Sequence, residues 1–163
     1  MILFLDFDGV LHPIPRNGAE LRFIPRLEAV LRDYPAVRIV ISSMWRHDEC
    51  HDLETLRSYF SDDIAARIIG VTPSIETPLK REYDFLEDVG FMLPQTRYNE
   101  CVQWVKDNRY DGLWLCLDDA WREFPDPCRQ LIRCETAIGF DAAVERVLRL
   151  RLQPLAESQD MQN

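Results

Sequence analysis

Met1-Ile-Leu-Phe-Leu-Asp6-Phe-Asp8-Gly9-Val-Leu-His12-Pro13 opens the chain and decides how it folds. The apolar run before Asp6 is unbroken, the mark of a strand buried on both faces of a parallel sheet. It ends at two carboxylates separated by one residue, and Gly9 follows. Ligands of open α/β sheets bind in the crevice at the carboxyl ends of the strands. Charge placed there is costly unless a cation or a reaction uses it. A turn accounts for Asp8-Gly9, because Asp-Gly is a common turn pair and Asp caps helices. It does not account for Asp6, flanked by Leu5 and Phe7.

Gly112-Leu-Trp-Leu-Cys-Leu-Asp118-Asp119 repeats the pattern: a short apolar strand ending in two acids. Neighbouring carboxylates raise each other's pKa unless a cation sits between them. Oxygen-only clusters suit Mg²⁺. The third strand, Val37-Arg-Ile-Val-Ile-Ser42-Ser43, is β-branched and ends in hydroxyls. Ser42 there can donate to an anionic oxygen or cap the following helix.

Outward from these stations the chain alternates strand and helix. Strands are expected at 2–6, 37–42, 67–71, 113–117 and 131–136. Helices are expected at 24–34, 49–60, 97–108 and 141–151. Alternation of this kind implies an α/β fold, a mostly parallel five-stranded sheet between helical layers. Residues 72–94 hold Pro73, Pro78 and Pro94 without periodicity, room for a small flap but not a large cap. Residues 1–151 are expected to form one domain. Residues 152–163, poor in apolar content, are expected to be a disordered tail.

The 163 residues are 47% hydrophobic, enough for a core, and carry 28 acids against 19 bases, a net charge of −9. Gripping a long nucleic acid by its phosphates needs a basic surface, and extended duplex binding is not expected. No apolar span long enough for a membrane helix is visible. Five cysteines without metal-type spacing read as reduced thiols, hence an expected cytoplasmic location.

Four stations in this order resemble the haloacid dehalogenase (HAD) superfamily of phosphohydrolases. Leu-Phe-Leu-Asp6-Phe-Asp8-Gly9-Val is similar to its first motif, Ile-Val-Ile-Ser42 to its second, and Leu-Cys-Leu-Asp118-Asp119 to its fourth. The third motif is a basic residue near a helix start. Arg97 fits it, with Lys80 as the alternative. The fold implied is a three-layer Rossmann-like HAD core. Ser-Ser-Met-Trp45-Arg46 and Arg97-Tyr-Asn-Glu100-Cys-Val-Gln-Trp104 are most similar to the HAD-like domain of Swiss army knife RNA repair proteins.

The resemblance implies Mg²⁺-dependent hydrolysis of phosphate monoesters. Asp6 is the implied nucleophile, forming an aspartyl phosphate, and Asp8 the implied acid and base. A crowded acidic pocket is expected to raise the pKa of Asp8. The implied metal ligands are Asp6, Asp8 through its backbone carbonyl, Asp118 and Asp119. Ser42 or Ser43, Arg97 and the Gly9 turn would bind phosphoryl oxygens. The implied partner is a phosphorylated substrate, with a nucleic-acid end or a nucleotide as candidates and no membrane. The alternative is a degenerate HAD-fold binding module in a nucleic-acid repair system. Trp45 and Trp121 could stack on a base or pack on loops, and Arg46 could bind phosphate or pair with a surface acid. His12 reads as a loop residue rather than a substrate contact.

Overall fold

The computed structural model describes residues 1–18, 20–75 and 95–160. The elements run β1 (Ile2–Leu5), α1 (Ile24–Asp33), β2 (Arg38–Ile41), α2 (Leu53–Ser58), α3 (Asp62–Ala65), β3 (Ile68–Val71), α4 (Thr96–Asp107), β4 (Trp114–Asp118), β5 (Leu131–Arg133) and α5 (Ala142–Asp160). Tight 3₁₀ turns at Met44–His47 and Trp121–Glu123 follow β2 and β4. Among the described residues the strands form one five-stranded sheet in the order β3-β2-β1-β4-β5, with every pairing parallel. This is the expected α/β Rossmann-like HAD core. Among the described residues there is no cap domain; much of the expected flap, and Lys80, lie outside them.

Residue parity explains both layers. Successive strand side chains face opposite sides of the sheet. Leu3 and Leu5 pack with Leu27, Val30 and Leu31 of α1 and with Leu148 and Leu152 of α5. Ile2 and Phe4 face the other way, onto Cys101 and Trp104 of α4 and onto Phe124. Phe4 is fully buried, its ring edge-on to Trp104 at 5.7 Å and to Trp114 at 5.6 Å. Truncating such a side chain to Ala costs about 3–5 kcal/mol.

Two expectations need correction. The helix expected over 49–60 is shorter: α2 spans Leu53–Ser58, and residues 49–52 before it are not helical. Asp52 sets that start, its carboxylate accepting from the Thr55 N–H at 2.7 Å. The last helix runs on to Asp160, so residues 152–160, expected in a tail, continue it. Leu152 is fully buried and anchors that continuation. No helix among the described residues is long and apolar enough to cross a membrane. All five cysteines are free thiols.

Candidate active site

The ladders that build the sheet also build the site. Leu5 lies opposite Leu117 on one side and Ile41 on the other. The Asp6 N–H donates to the Leu117 carbonyl at 3.1 Å, and the Ser42 N–H donates to the Leu5 carbonyl at 2.9 Å. The next residue of each strand is therefore Ser42, Asp6 or Asp118, side by side at the carboxyl edge. All three are even-numbered, in step with Val40, Phe4 and Cys116, so they turn toward the α4 layer. The β1 strand is central, where the order reverses on either side, the place at which α/β sheets open a crevice.

Asp6, Asp118 and Asp119 come together, each offering a carboxylate oxygen within 4.8 Å of the others. Asp6 and Asp118 are buried. Burial, with the Asp6 charge adding to it, holds the Asp118 carboxyl well above the usual range, against the pull of Arg97. Burial also raises Asp119. Asp118 Oδ1 accepts from the Ala120 N–H at 2.8 Å, while its buried Oδ2 has no hydrogen-bond partner among the described residues. Excess negative charge, an orphaned oxygen and an all-oxygen donor set fit a hard divalent cation such as Mg²⁺.

Arg97 enters from the first turn of α4. Its Nε lies 3.4 Å from Asp118 and its Nη2 4.0 Å from Asp6. Those carboxylates, with Glu123 and Glu100, more than offset its burial and hold the guanidinium firmly charged. Its Nε and Nη1 are buried without a hydrogen-bond acceptor among the described residues. Ser42 Oγ and Thr72 Oγ1, at the ends of β2 and β3, are also buried and have no hydrogen-bond partner among the described residues. Buried donors are normally satisfied, so this group of orphans marks room for an anion's oxygens. Ser43 does different work: its Oγ accepts from the Trp45 N–H at 3.4 Å and starts the 3₁₀ turn.

Gly9 sits at φ +65°, and a Cβ there would collide with the Asp119 carboxylate. The turn after β1 thus holds the backbone against Asp119, an approach open only to glycine.

Asp8 departs from expectation in the direction of its pKa shift, not in the metal ligation expected of its backbone carbonyl. Its carboxylate is not among the three clustered acids. It accepts from three donors: Trp45 Nε1 at 2.8 Å, His12 Nε2 at 2.9 Å and Arg16 Nη2 at 2.9 Å. Burial alone would raise its pKa; those donors outweigh burial and hold it below the usual carboxylate range. The expected upward shift is therefore reversed, because Asp8 looks onto donors rather than acids.

His12 is fully buried, and its Nδ1 accepts from the Leu21 N–H at 3.3 Å. That bond leaves Nε2 to carry the proton toward Asp8. His12 is thus more than a loop residue, and neither it nor Arg16 carried a periodic signal, since both lie on the irregular segment after β1. Trp45 supports Asp8 with its indole N–H while packing edge-on against Phe7 and Tyr59. Trp121 remains 40% exposed, with the Arg133 guanidinium 4.5 Å above its ring.

The acid that Arg46 pairs with is a buried one, not a surface one. Arg46 is itself buried, donates to the Ser42, Ser43 and Thr72 carbonyls, and pairs with buried Glu100 at 2.6 Å. It clamps the ends of β2 and β3 to α4, the helix that carries Arg97.

A family model described as "HAD domain in Swiss Army Knife RNA repair proteins" matches residues 2–144. No curated protein and no solved structure matches the chain.

Proposed function

The chain belongs to the HAD domains of Swiss Army Knife RNA repair proteins, and on that premise we propose that it hydrolyses phosphate monoesters on nucleotides or nucleic-acid ends, with Mg²⁺. The observation that carries this reading is the convergence of Asp6, Asp118 and Asp119 within 4.8 Å, beside the unsatisfied donors of Arg97 and Ser42. A carboxylate cluster alone would suit a structural cation. The adjoining unpaired donors add a place for the oxygens of a phosphoryl group.

The carboxylates of Asp6, Asp118 and Asp119 would hold Mg²⁺, which would supply the charge neutralisation that lets one anion approach another. The remaining work falls to side chains. The Arg97 guanidinium and the Ser42 hydroxyl bind and orient the phosphoryl oxygens. An Asp6 oxygen bonds to phosphorus as the bond to the leaving oxygen breaks, and Asp8 gives its proton to that oxygen. Water then attacks the aspartyl phosphate, passing its proton to Asp8, and releases phosphate with Asp6 restored. His12, fixed in one tautomer by the Leu21 N–H, keeps Asp8 in place through both steps.

The test is hydrolysis of p-nitrophenyl phosphate and of terminally phosphorylated oligonucleotides, with Mg²⁺ and with EDTA. Mg²⁺-dependent turnover is expected, and Asp6→Asn should abolish it without altering the circular dichroism spectrum. An Asp6→Asn protein that still turns over would contradict the reading.

A further inference from the structure

Asp8 also lines a cavity of about 420 Å³, whose wall includes Arg16, Met44, Trp45, His51 and Tyr59. We infer that this cavity is the leaving-group subsite and that it takes a nucleoside, with Arg16 as a latch that the base displaces. The inference rests on the reading of Asp8 as the proton donor. A donor must lie within about 2.6–3.2 Å of the oxygen it protonates. Whatever carries that oxygen must therefore occupy the space that Asp8 faces, and this cavity is that space.

The lining specifies the ligand. The volume lies within the range of small-molecule sites, roughly 300–1,000 Å³. The Trp45 ring is stacked with His51 at 5.1 Å, and Tyr59 stands edge-on to it at 5.7 Å. An aromatic wall of this kind favours a flat ring. Glu20 and Asp48 add carboxylates to the lining. They accept hydrogen bonds from hydroxyl and amino groups and repel further phosphates in the cavity. A nucleoside, planar, hydroxyl-bearing and uncharged, meets all of these conditions. A simple polyol lacks the ring, and a polyphosphate carries the wrong charge.

Arg16 occupies the place such a base would take. Its guanidinium lies 5.1 Å from the Trp45 ring centroid while donating to Asp8 at 2.9 Å and to Glu20 at 2.8 Å. It is exposed, on the loop after β1. A base that displaces it from Trp45 also removes the Arg16 hydrogen bond from Asp8 and opens that side of the carboxylate to the leaving oxygen.

The experiment compares kcat/KM for adenosine monophosphate, a 3′-phosphorylated dinucleotide, glycerol phosphate and glucose 6-phosphate, and measures adenosine binding by titration of the Trp45 indole N–H resonance. The nucleotide substrates should exceed the polyol and sugar phosphates by at least tenfold, and adenosine should shift the indole resonance. A preference for the dinucleotide places the source at a nucleic-acid end, and a preference for the mononucleotide at free nucleotides. Arg16→Ala should reduce the advantage of nucleotides by raising the rate on glycerol phosphate. Equal rates on all four esters, with no adenosine-induced shift, would overturn the subsite while leaving the phosphatase reading intact. Adenosine binding without turnover of any ester would overturn the phosphatase reading instead.

Discussion

Asp118→Asn should make the metal-free protein more stable while disabling the site. Asp118 has two acidic neighbours within 4.8 Å, each repelling it by about 3.5 kcal/mol at an effective dielectric near 20. Arg97, 3.4 Å away, returns about 5 kcal/mol on the same scale. Repulsion therefore exceeds attraction by about 2 kcal/mol, and loss of hydration adds to the imbalance. Asparagine keeps the shape and still accepts from the Ala120 N–H, but its amide meets Arg97 less well. A net gain of about 1–2 kcal/mol follows, or about 3–6 °C in Tm for a chain of this size. Scanning calorimetry in EDTA at neutral pH measures it.

The pH dependence has a definite sign. A carboxyl raised in the folded state favours folding fully below its ordinary pKa, and that contribution is lost as pH rises through the raised value. The gap between wild type and Asp118→Asn should close toward acid and widen toward neutrality. Mg²⁺ should stabilise the wild type and have a smaller effect on the variant. A lower Tm for Asp118→Asn in EDTA, or a gap that persists in acid, would refute the charge-crowding argument.

Three further outcomes are expected. Gly9→Ala should lose about 1–2 kcal/mol to the left-handed backbone and, by pushing Asp119 aside, weaken the Mg²⁺-induced rise in Tm; an unchanged Mg²⁺ response in thermal melts would count against that contact. Glu100→Ala should cost about 3–5 kcal/mol in urea unfolding, because it strands the buried Arg46 charge. Arg16→Ala removes a donor that holds the Asp8 pKa down, so the basic limb of the kcat/KM profile for an alkyl phosphate should move to higher pH; a limb that stays in place would separate Arg16 from the acid.

Where the site lies was legible in the residue pattern, because an apolar strand that stops at an acid can be read locally. Asp6, Ser42 and Asp118 were readable one strand at a time. Their adjacency came from the ladders, which no local pattern encodes. Ser42 and Ser43 could not be told apart, because β2 is apolar on both faces and its alternation is invisible until the α4 layer is placed. The shell around Asp8 was illegible for another reason. His12, Arg16 and Trp45 reach it from irregular backbone, where no period ties position to direction. The Asp8 pKa was misjudged accordingly: two acids close in the chain suggested mutual repulsion, whereas the chain turns after β1, with the Val10 and Leu11 N–H groups donating to the Phe7 carbonyl, and gives Asp8 different surroundings from Asp6. Arg46 was misread because its partner, Glu100, lies on an element that only the tertiary fold brings near.

The position of β1 has a bearing on how this fold can vary. The strand that presents Asp6 is gripped by hydrogen bonds from both flanks, whereas β3 and β5 form the sheet's two margins. Lengthening, trimming or decorating a margin therefore leaves the reacting carboxylate where it was. The periphery is free to acquire new recognition surfaces while the chemical centre stays in register.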